Sequence, residues 1–331
     1  MNNRIDWIDS VKFYALLFVI LGHHVIYGIN IGYFWTFHMP LFFWVNGYLW
    51  KEKSNFLVVI RKAIKNYIVP YIFGSMFAII FCRYLREKIF VNCLRITDWY
   101  HSPFYIFEES FYYWRGWSLL WFLPCLFIAN ILFFLLLKVA SKRKILMYSL
   151  LCVSSMIGVW LSCSDILLLG QINNALVAIV FMYAGYIYSH DFKLAGKPLK
   201  QGAVLSLVLI YVVSAHKKIF VDMGSGKYPF YPICILAALG GIIVFVYIVK
   251  QLPCFKMILF FGKNSLIVYL VHAIEHNFIP WSEIKEYTMY TLNMKQFGAD
   301  ILLYVIRVGM IMAISAIIIG GINKIRCKCT H

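Results

Sequence analysis

The sequence predicts an all-α fold, a polytopic transmembrane helical bundle with about ten spanning helices and both termini cytoplasmic. Of its 331 residues, 62% are hydrophobic and only 14% are charged, and the mean hydropathy is +0.77. Soluble domains carry about 25% charged residues, so this composition excludes a soluble globular protein. The apolar stretches recur evenly along the chain, which favours a single transmembrane domain over residues 1–331 and no appended soluble domain.

Each predicted span has roughly the 17–23 residues that a bilayer requires, although the third, fifth and seventh are short. The spans lie near 11–29, 33–50, 67–82, 117–137, 145–161, 166–188, 202–215, 230–249, 257–275 and 300–322. With both termini inside, the inner segments hold twice as many lysines and arginines as the outer loops. The positive-inside rule predicts that bias and therefore supports this topology.

The charge and the cysteines indicate no further partner. The net charge of +17 is explained mostly by the positive-inside rule, so we do not expect binding to nucleic acid. The nine cysteines lie mostly in apolar stretches without metal-ligand spacing, and no metal site is predicted.

Two outer loops are long, near 83–116 and 276–299. The first is dense in aromatic residues and carries Glu108 and Glu109. An aromatic belt at the membrane interface explains this composition, and a stacking platform for a sugar explains it as well.

The first apolar stretch contains the histidine pair His23-His24, and Lys12 lies at its start. Ionisable side chains are expensive in hydrocarbon, so each one inside a span is a candidate functional residue. On a continuous helix, Lys12 and His23 would share one face, about 16 Å apart along the axis. His24 would point elsewhere, which favours a supporting or packing role.

Several blocks resemble a known family. Lys12-x10-His23 resembles the Arg/Lys-x10-His motif of acyltransferase family 3 membrane proteins, and FHMPLFFWVNGYLW (37–50) resembles that family's second-helix signature. RIDWIDSVK (4–12), SLLWFLPCLF (118–127) and GKNSLIVYLVH (262–272) are similar to blocks of its fucose 4-O-acetylase branch. Asn46 stands where the family usually has serine, and Lys12 where many members have arginine.

The resemblance implies acyl transfer from acyl-CoA to a hydroxyl. His23 would be the general base, or a transient acyl carrier, because imidazole has the right proton affinity to activate an alcohol. A histidine that merely bridges two helices is the alternative. Lys12, with Arg61, Lys62 and Lys65, would bind the phosphates of CoA, whereas a purely topological role explains the loop cations equally well.

Other polar residues are candidates for substrate binding or support. Asp9 would orient Lys12 or, more simply, cap the first helix. Asn46 would hydrogen-bond in the site or allow close helix packing, and His38 would be a second polar group there. His272, near Glu275 and His276, would bind the acceptor or orient the base, unless all three are interfacial polar residues. Arg307 would stabilise an oxyanion or bind an acidic sugar, and a structural ion pair is an equal alternative.

We therefore expect a multi-pass O-acetyltransferase of the bacterial cytoplasmic (inner) membrane. It would move acetyl groups from acetyl-CoA to a carbohydrate acceptor, lipid-linked acceptors included, in a surface polysaccharide pathway, with membrane lipid as its surroundings and no permanently bound cofactor. The alternatives are a transporter or flippase of a lipid-linked sugar, and an acyltransferase that uses succinyl groups or a non-sugar acceptor.

Overall fold

The computed structural model describes residues 5–24, 26–51, 55–81, 119–140, 143–164, 166, 168–190 and 198–328. Most of these residues are helical, and they form no regular strand. The predicted aromatic loop with Glu108 and Glu109 lies outside them. The helices are α1 (Asp6–Gly22), α2 (Gly32–Trp35), α3 (His38–Tyr48), α4 (Phe56–Ala63), α5 (Val69–Phe81), α6 (Phe122–Ala140), α7 (Lys144–Cys163), α8 (Ile172–His190), α9 (Pro198–His216), α10 (Ile233–Gln251), α11 (Lys256–Lys263), α12 (Ser265–Phe278), α13 (Trp281–Thr291) and α14 (Gln296–Lys328).

Five of the described helices are long and apolar enough to cross a membrane, which confirms a helical membrane protein. They are α6 with its preceding 3₁₀ turn, α7, α8, α10 and α14, and they match the predicted spans near 117–137, 145–161, 166–188, 230–249 and 300–322. Helices α11 and α12 form a sixth span if they are counted as one, although they are bent by 74°. The predicted total of ten spans is not confirmed.

Three predicted spans are wrong in their detail. The span predicted at 11–29 stops being helical at Gly22, and the one at 33–50 is divided into α2 and α3. The third begins earlier than predicted, because α4 and α5 are joined through the π-helical turn Ile64–Ile68. Pro40 lies in the first turn of α3, where a helix needs no backbone donor, so this proline does not break the helix.

The chain divides into two compact units. The first comprises Met1–Ile31, Ile80–Tyr100 and Phe245–His331, and the second comprises Gly32–Ile79 and His101–Val244. In the first unit, α1 packs against α11, α12 and α14. In the second, α8 packs against α3, α6 and α7.

The two faces of helix α14 differ in their burial. Side chains such as Val305 and Ile317 are 60% and 75% exposed, and in hydrocarbon such an apolar face needs no protein cover. The opposite face is buried and follows helical spacing, through Asp300, Leu303, Arg307, Ile311 and Ser315. The polar members of this stripe therefore point into the first unit and not into lipid.

Close helix contacts depend on glycine in both units. A Cβ on Gly262 of α11 would collide with the backbone carbonyl of Asp9 in α1. In the second unit, a Cβ on Gly47 of α3 would collide with the carbonyl of Met182 in α8, and one on Gly185 with that of Trp44. Small residues let membrane helices approach until their backbones are in contact. The van der Waals packing gained in this way stabilises helix association in lipid, where no hydrophobic effect acts between helices.

We expect Gly47→Ala to destabilise the protein by about 1–3 kcal/mol, because the added methyl must push α3 away from α8. Thermal unfolding of the purified protein in detergent measures this. Gly309→Ala in α14 is the matched control, since nothing lies within 4 Å of a Cβ there. Equal unfolding temperatures for the two variants would contradict the proposed contact.

Candidate active site

The end of α1 lies in the first unit and carries His23. The helix ends at Gly22, and His23 is its C-cap with φ −94° and ψ 7°. The segment from Lys12 to Gly22 is helical as predicted. The prediction that the same helix continues through His23 and His24 is wrong, because the helix ends at Gly22. The carbonyl of His23 accepts a hydrogen bond from Nη1 of Arg307 at 2.8 Å. This bond explains how a helix can end in an apolar environment, because its free carbonyls need donors.

Two further histidines surround the His23 ring. The ring centroids of His23 and His272 are 5.7 Å apart, and those of His23 and His276 are 5.1 Å apart. Both partners come from α12, where they are separated by one helical turn. The structure thus brings the predicted residues His23 and His272 together, with His276 as a third imidazole.

A buried ion pair supports this cluster from α14. Arg307, which is 0% exposed, places Nε 2.8 Å from Oε1 of Glu275, and its Nη2 donates to Nδ1 of His276 at 3.0 Å. The indole N–H of Trp281 donates to the same oxygen of Glu275, and its ring packs beside the guanidinium. Of the roles considered for Arg307, the ion pair is therefore the one that the structure shows.

His24 takes part in a separate network with Asp300 of α14. Its Nε2 lies 2.8 Å from the carbonyl of Asp300, consistent with N–H donation. The carboxylate of Asp300 accepts from the backbone N–H of Tyr27 at 2.8 Å and pairs with Nζ of Lys285 at 2.7 Å. His24 therefore ties the segment after α1 to α14, in agreement with a supporting role.

Lys12 lies near the other end of α1 and is paired with Asp9. Its Nζ is 2.6 Å from Oδ1 of Asp9, and the lysine side chain is 17% exposed. Capping by Asp9, the simpler of the two sequence interpretations, is wrong, because Ile5 is the N-cap and no side chain caps the helix there. Asp9 instead fixes the direction of the Lys12 side chain.

The other predicted phosphate ligands belong to the second unit. Arg61, Lys62 and Lys65 are exposed on α4 and the π-helical turn after it. They lie on one side of that helix, whereas Val59 and Ala63 are buried. Their role in binding CoA remains a prediction.

Asn46 and His38 also lie in the second unit, and both have protein partners. Nδ2 of Asn46 donates to the hydroxyl of Tyr67 at 2.7 Å, and a role of this amide in the functional site stays a prediction. His38 is buried, and its Nδ1 lies 3.2 Å from the carbonyl of Phe34, one turn earlier in the chain. This bond gives a donor to a carbonyl of α2 and so links that helix to the start of α3.

Sequence reasoning missed Asp300 and Trp281. Asp300 lies seven residues before Arg307, so two helical turns bring both onto one face of α14. That spacing could have identified Asp300 as a candidate residue from the sequence alone. Trp281 follows a proline at the start of a helix, and nothing in its neighbouring sequence indicates a contact with Glu275.

The arrangement is suited to moving protons. Three imidazoles lie next to one another, and a buried carboxylate–guanidinium pair holds two of them by hydrogen bonds. Imidazole can take and return a proton near neutral pH. Among the described residues, no group of histidine, cysteine, aspartate and glutamate side chains is arranged to hold a metal ion.

A comparison with protein-family models finds one that spans nearly the whole chain. The model, described as an acyltransferase domain, matches residues 5–320. Comparisons with curated proteins and with solved structures find no match. The matched region includes both units and every candidate residue discussed above.

We expect Arg307→Met to destabilise the protein by about 3–5 kcal/mol, because it leaves the carboxylate of Glu275 buried without its cation. The double variant Arg307→Met/Glu275→Gln removes that charge and should recover much of the loss. Thermal unfolding in detergent measures both. A double variant as unstable as the single one would show that the ion pair is not the main contribution of Arg307.

Proposed function

Because the chain belongs to acyltransferase family 3 and is a membrane acyltransferase, we propose that it transfers an acetyl group from acetyl-CoA to a hydroxyl of a carbohydrate. The observation that carries the proposal is the position of His23. It occupies the motif position of the family, and it lies at the end of a buried helix beside His272 and His276. An alcohol is a poor nucleophile until a base takes its proton, and His23 is the group that we assign to this task.

The proposed step balances without a cofactor. The hydroxyl oxygen attacks the thioester carbonyl carbon while its proton passes to a ring nitrogen of His23. The new C–O bond forms, the C–S bond breaks, and the imidazolium returns the proton to the departing thiolate. The surrounding apolar helices favour this route over hydrolysis, because a dry site keeps water from competing with the acceptor.

Lys12 is our proposed contact for the phosphates of CoA. A lysine ammonium acts as a point charge for phosphate, and Lys12, six residues after the start of α1, is partly exposed and is directed by Asp9. The helix from Lys12 to Gly22 is about 15 Å long, comparable to the extended pantetheine arm. Phosphates held near Lys12 would therefore allow the thioester to reach His23.

A carbohydrate is the acceptor that the sequence blocks favour. The segments at 4–12, 118–127 and 262–272 resemble those of fucose 4-O-acetylases, which act on a sugar hydroxyl. We accordingly propose a surface glycan or its lipid-linked precursor as acceptor, and the bacterial inner membrane as location. Arg61, Lys62 and Lys65 remain candidates for additional contacts to CoA.

We expect His23→Gln to lower acetyl transfer at least about a hundredfold, within the usual contribution of a general base. The measurement uses membranes that contain the chain and its host's glycans, supplied with labelled acetyl-CoA. His24→Gln is the matched control, because a glutamine amide can still donate to the carbonyl of Asp300. Full transfer by the His23 variant would refute the catalytic assignment, and label that never reaches a glycan would refute the acceptor class.

We expect Lys12→Ala to raise KM for acetyl-CoA about tenfold or more, since one charge-assisted contact to phosphate is lost. The comparison is Lys144→Ala, an exposed lysine at the start of α7. The same KM for both variants would exclude Lys12 as a phosphate ligand.

A further inference from the structure

One buried nitrogen, on an imidazole ring that neighbours the ring of His23, has no function in the step described above. Nε2 of His272 is fully buried and has no hydrogen-bond partner among the described residues. Buried polar atoms are nearly always paired, so an unpaired one beside a reactive group calls for an explanation. The His272 ring is a neighbour of the His23 ring, with centroids 5.7 Å apart.

The hydrogen-bond partners of His272 determine which of its nitrogens carries hydrogen. Its Nδ1 lies 3.2 Å from Oε2 of Glu275, while the other carboxylate oxygen receives Arg307 and Trp281. A carboxylate paired with a guanidinium is ionised and can only accept hydrogen bonds. Nδ1 of His272 therefore carries the hydrogen, and Nε2 presents a lone pair.

His276 has the opposite arrangement. Its Nδ1 faces Nη2 of Arg307 at 3.0 Å, and a guanidinium can only donate. Nδ1 of His276 is therefore the acceptor, and the hydrogen of this ring is on Nε2. Of the two imidazoles that flank His23, only His272 can accept a further hydrogen bond.

We propose that His272 is a positioning residue for His23, linked to Glu275 in a chain Glu275–His272–His23. When His23 takes the proton of the acceptor hydroxyl on one ring nitrogen, the N–H of its other nitrogen donates to Nε2 of His272. The proton then leaves His23 for the thiolate sulfur, and the His23–His272 bond is released. This inference rests on the proposed function, because it assumes that His23 is the base.

Electrostatics gives the reason for such a chain. A proton arriving on His23 creates a second positive charge close to Arg307, whose own charge is already balanced by Glu275. An acceptor aligned with the N–H of the other ring nitrogen stabilises that charge without bringing another ion into the membrane. The rings are slightly too far apart for a direct bond in the resting structure, and catalytic hydrogen bonds are often long until substrate binds.

Two substitutions of His272 separate this role from a packing role. Glutamine places its amide oxygen near the position of Nε2, so it can still accept from His23. Asparagine places its amide near the position of Nδ1, so it can still donate to Glu275 but offers nothing to His23. We expect His272→Asn to lower kcat about ten- to a hundredfold, and His272→Gln to stay within about tenfold of the wild type. KM for acetyl-CoA should not change in either variant.

The order of the two variants decides the question. The proposal requires His272→Gln to be more active than His272→Asn. If His272 only supports Glu275, His272→Asn will be the more active variant. That result, or equal activities of the two variants, overturns the proposal. The assay uses the full chain in membranes with labelled acetyl-CoA and the host's glycans, with the amount of folded protein measured for each variant. If His23→Gln keeps full activity, the proposed function fails first. If His23 is required but the order is reversed, only the role of His272 is wrong.

A spectroscopic measurement covers the case in which neither variant folds. The wild-type protein labelled with ¹⁵N-histidine should show two buried rings that have hydrogen on Nδ1 and none on Nε2, because Nδ1 of His38 also faces a carbonyl. In His38→Asn, whose amide can still donate to that carbonyl, one such ring should remain, and it is assigned to His272. The absence of this remaining ring would overturn the proposal.

Discussion

The buried charge of Arg307 is the constraint on which the histidine cluster of the first unit depends. A guanidinium in an apolar interior is tolerated only when ions and hydrogen bonds replace the water that it has lost. Arg307 meets this need with the carboxylate of Glu275, a ring nitrogen of His276 and the last carbonyl of α1 at His23. These contacts hold three helices at one point, and they also fix the position of His23, the proposed base. Stability and the proposed chemistry therefore depend on the same side chain.

Much of the fold could be predicted because it follows from local properties of the sequence. The length and apolar character of a segment decide whether it can cross a bilayer, and five predicted spans correspond to described helices. The need of Arg307 for a buried partner was predictable for the same reason. The resemblance of short blocks was sufficient for the family, which the match over residues 5–320 confirms.

What could not be predicted depends on contacts between distant segments. The apolar run of the first span continues to Ile29, so composition gives no sign that α1 ends at Gly22. It ends where a cation from α14, nearly three hundred residues away in the chain, meets its carbonyl. The bend of 74° between α11 and α12 is equally hidden, because both helices have suitable composition for one straight span. The partners of Glu275 could not be predicted from the sequence either, because Trp281 and Arg307 come close to it only in the folded protein.

The shortness of α1 has a consequence for the depth at which substrates must meet. Its 17 residues extend for about 25 Å, whereas the hydrocarbon core of a bilayer is about 30 Å thick. The part from Lys12 to Gly22, along which the donor would lie in the proposed reaction, accounts for about 15 Å of that length, or about half of the hydrocarbon thickness. With its phosphates held near Lys12 at one face, the donor would therefore bring its acyl group to about the middle of the bilayer. The acceptor hydroxyl would have to enter from the opposite face to a similar depth.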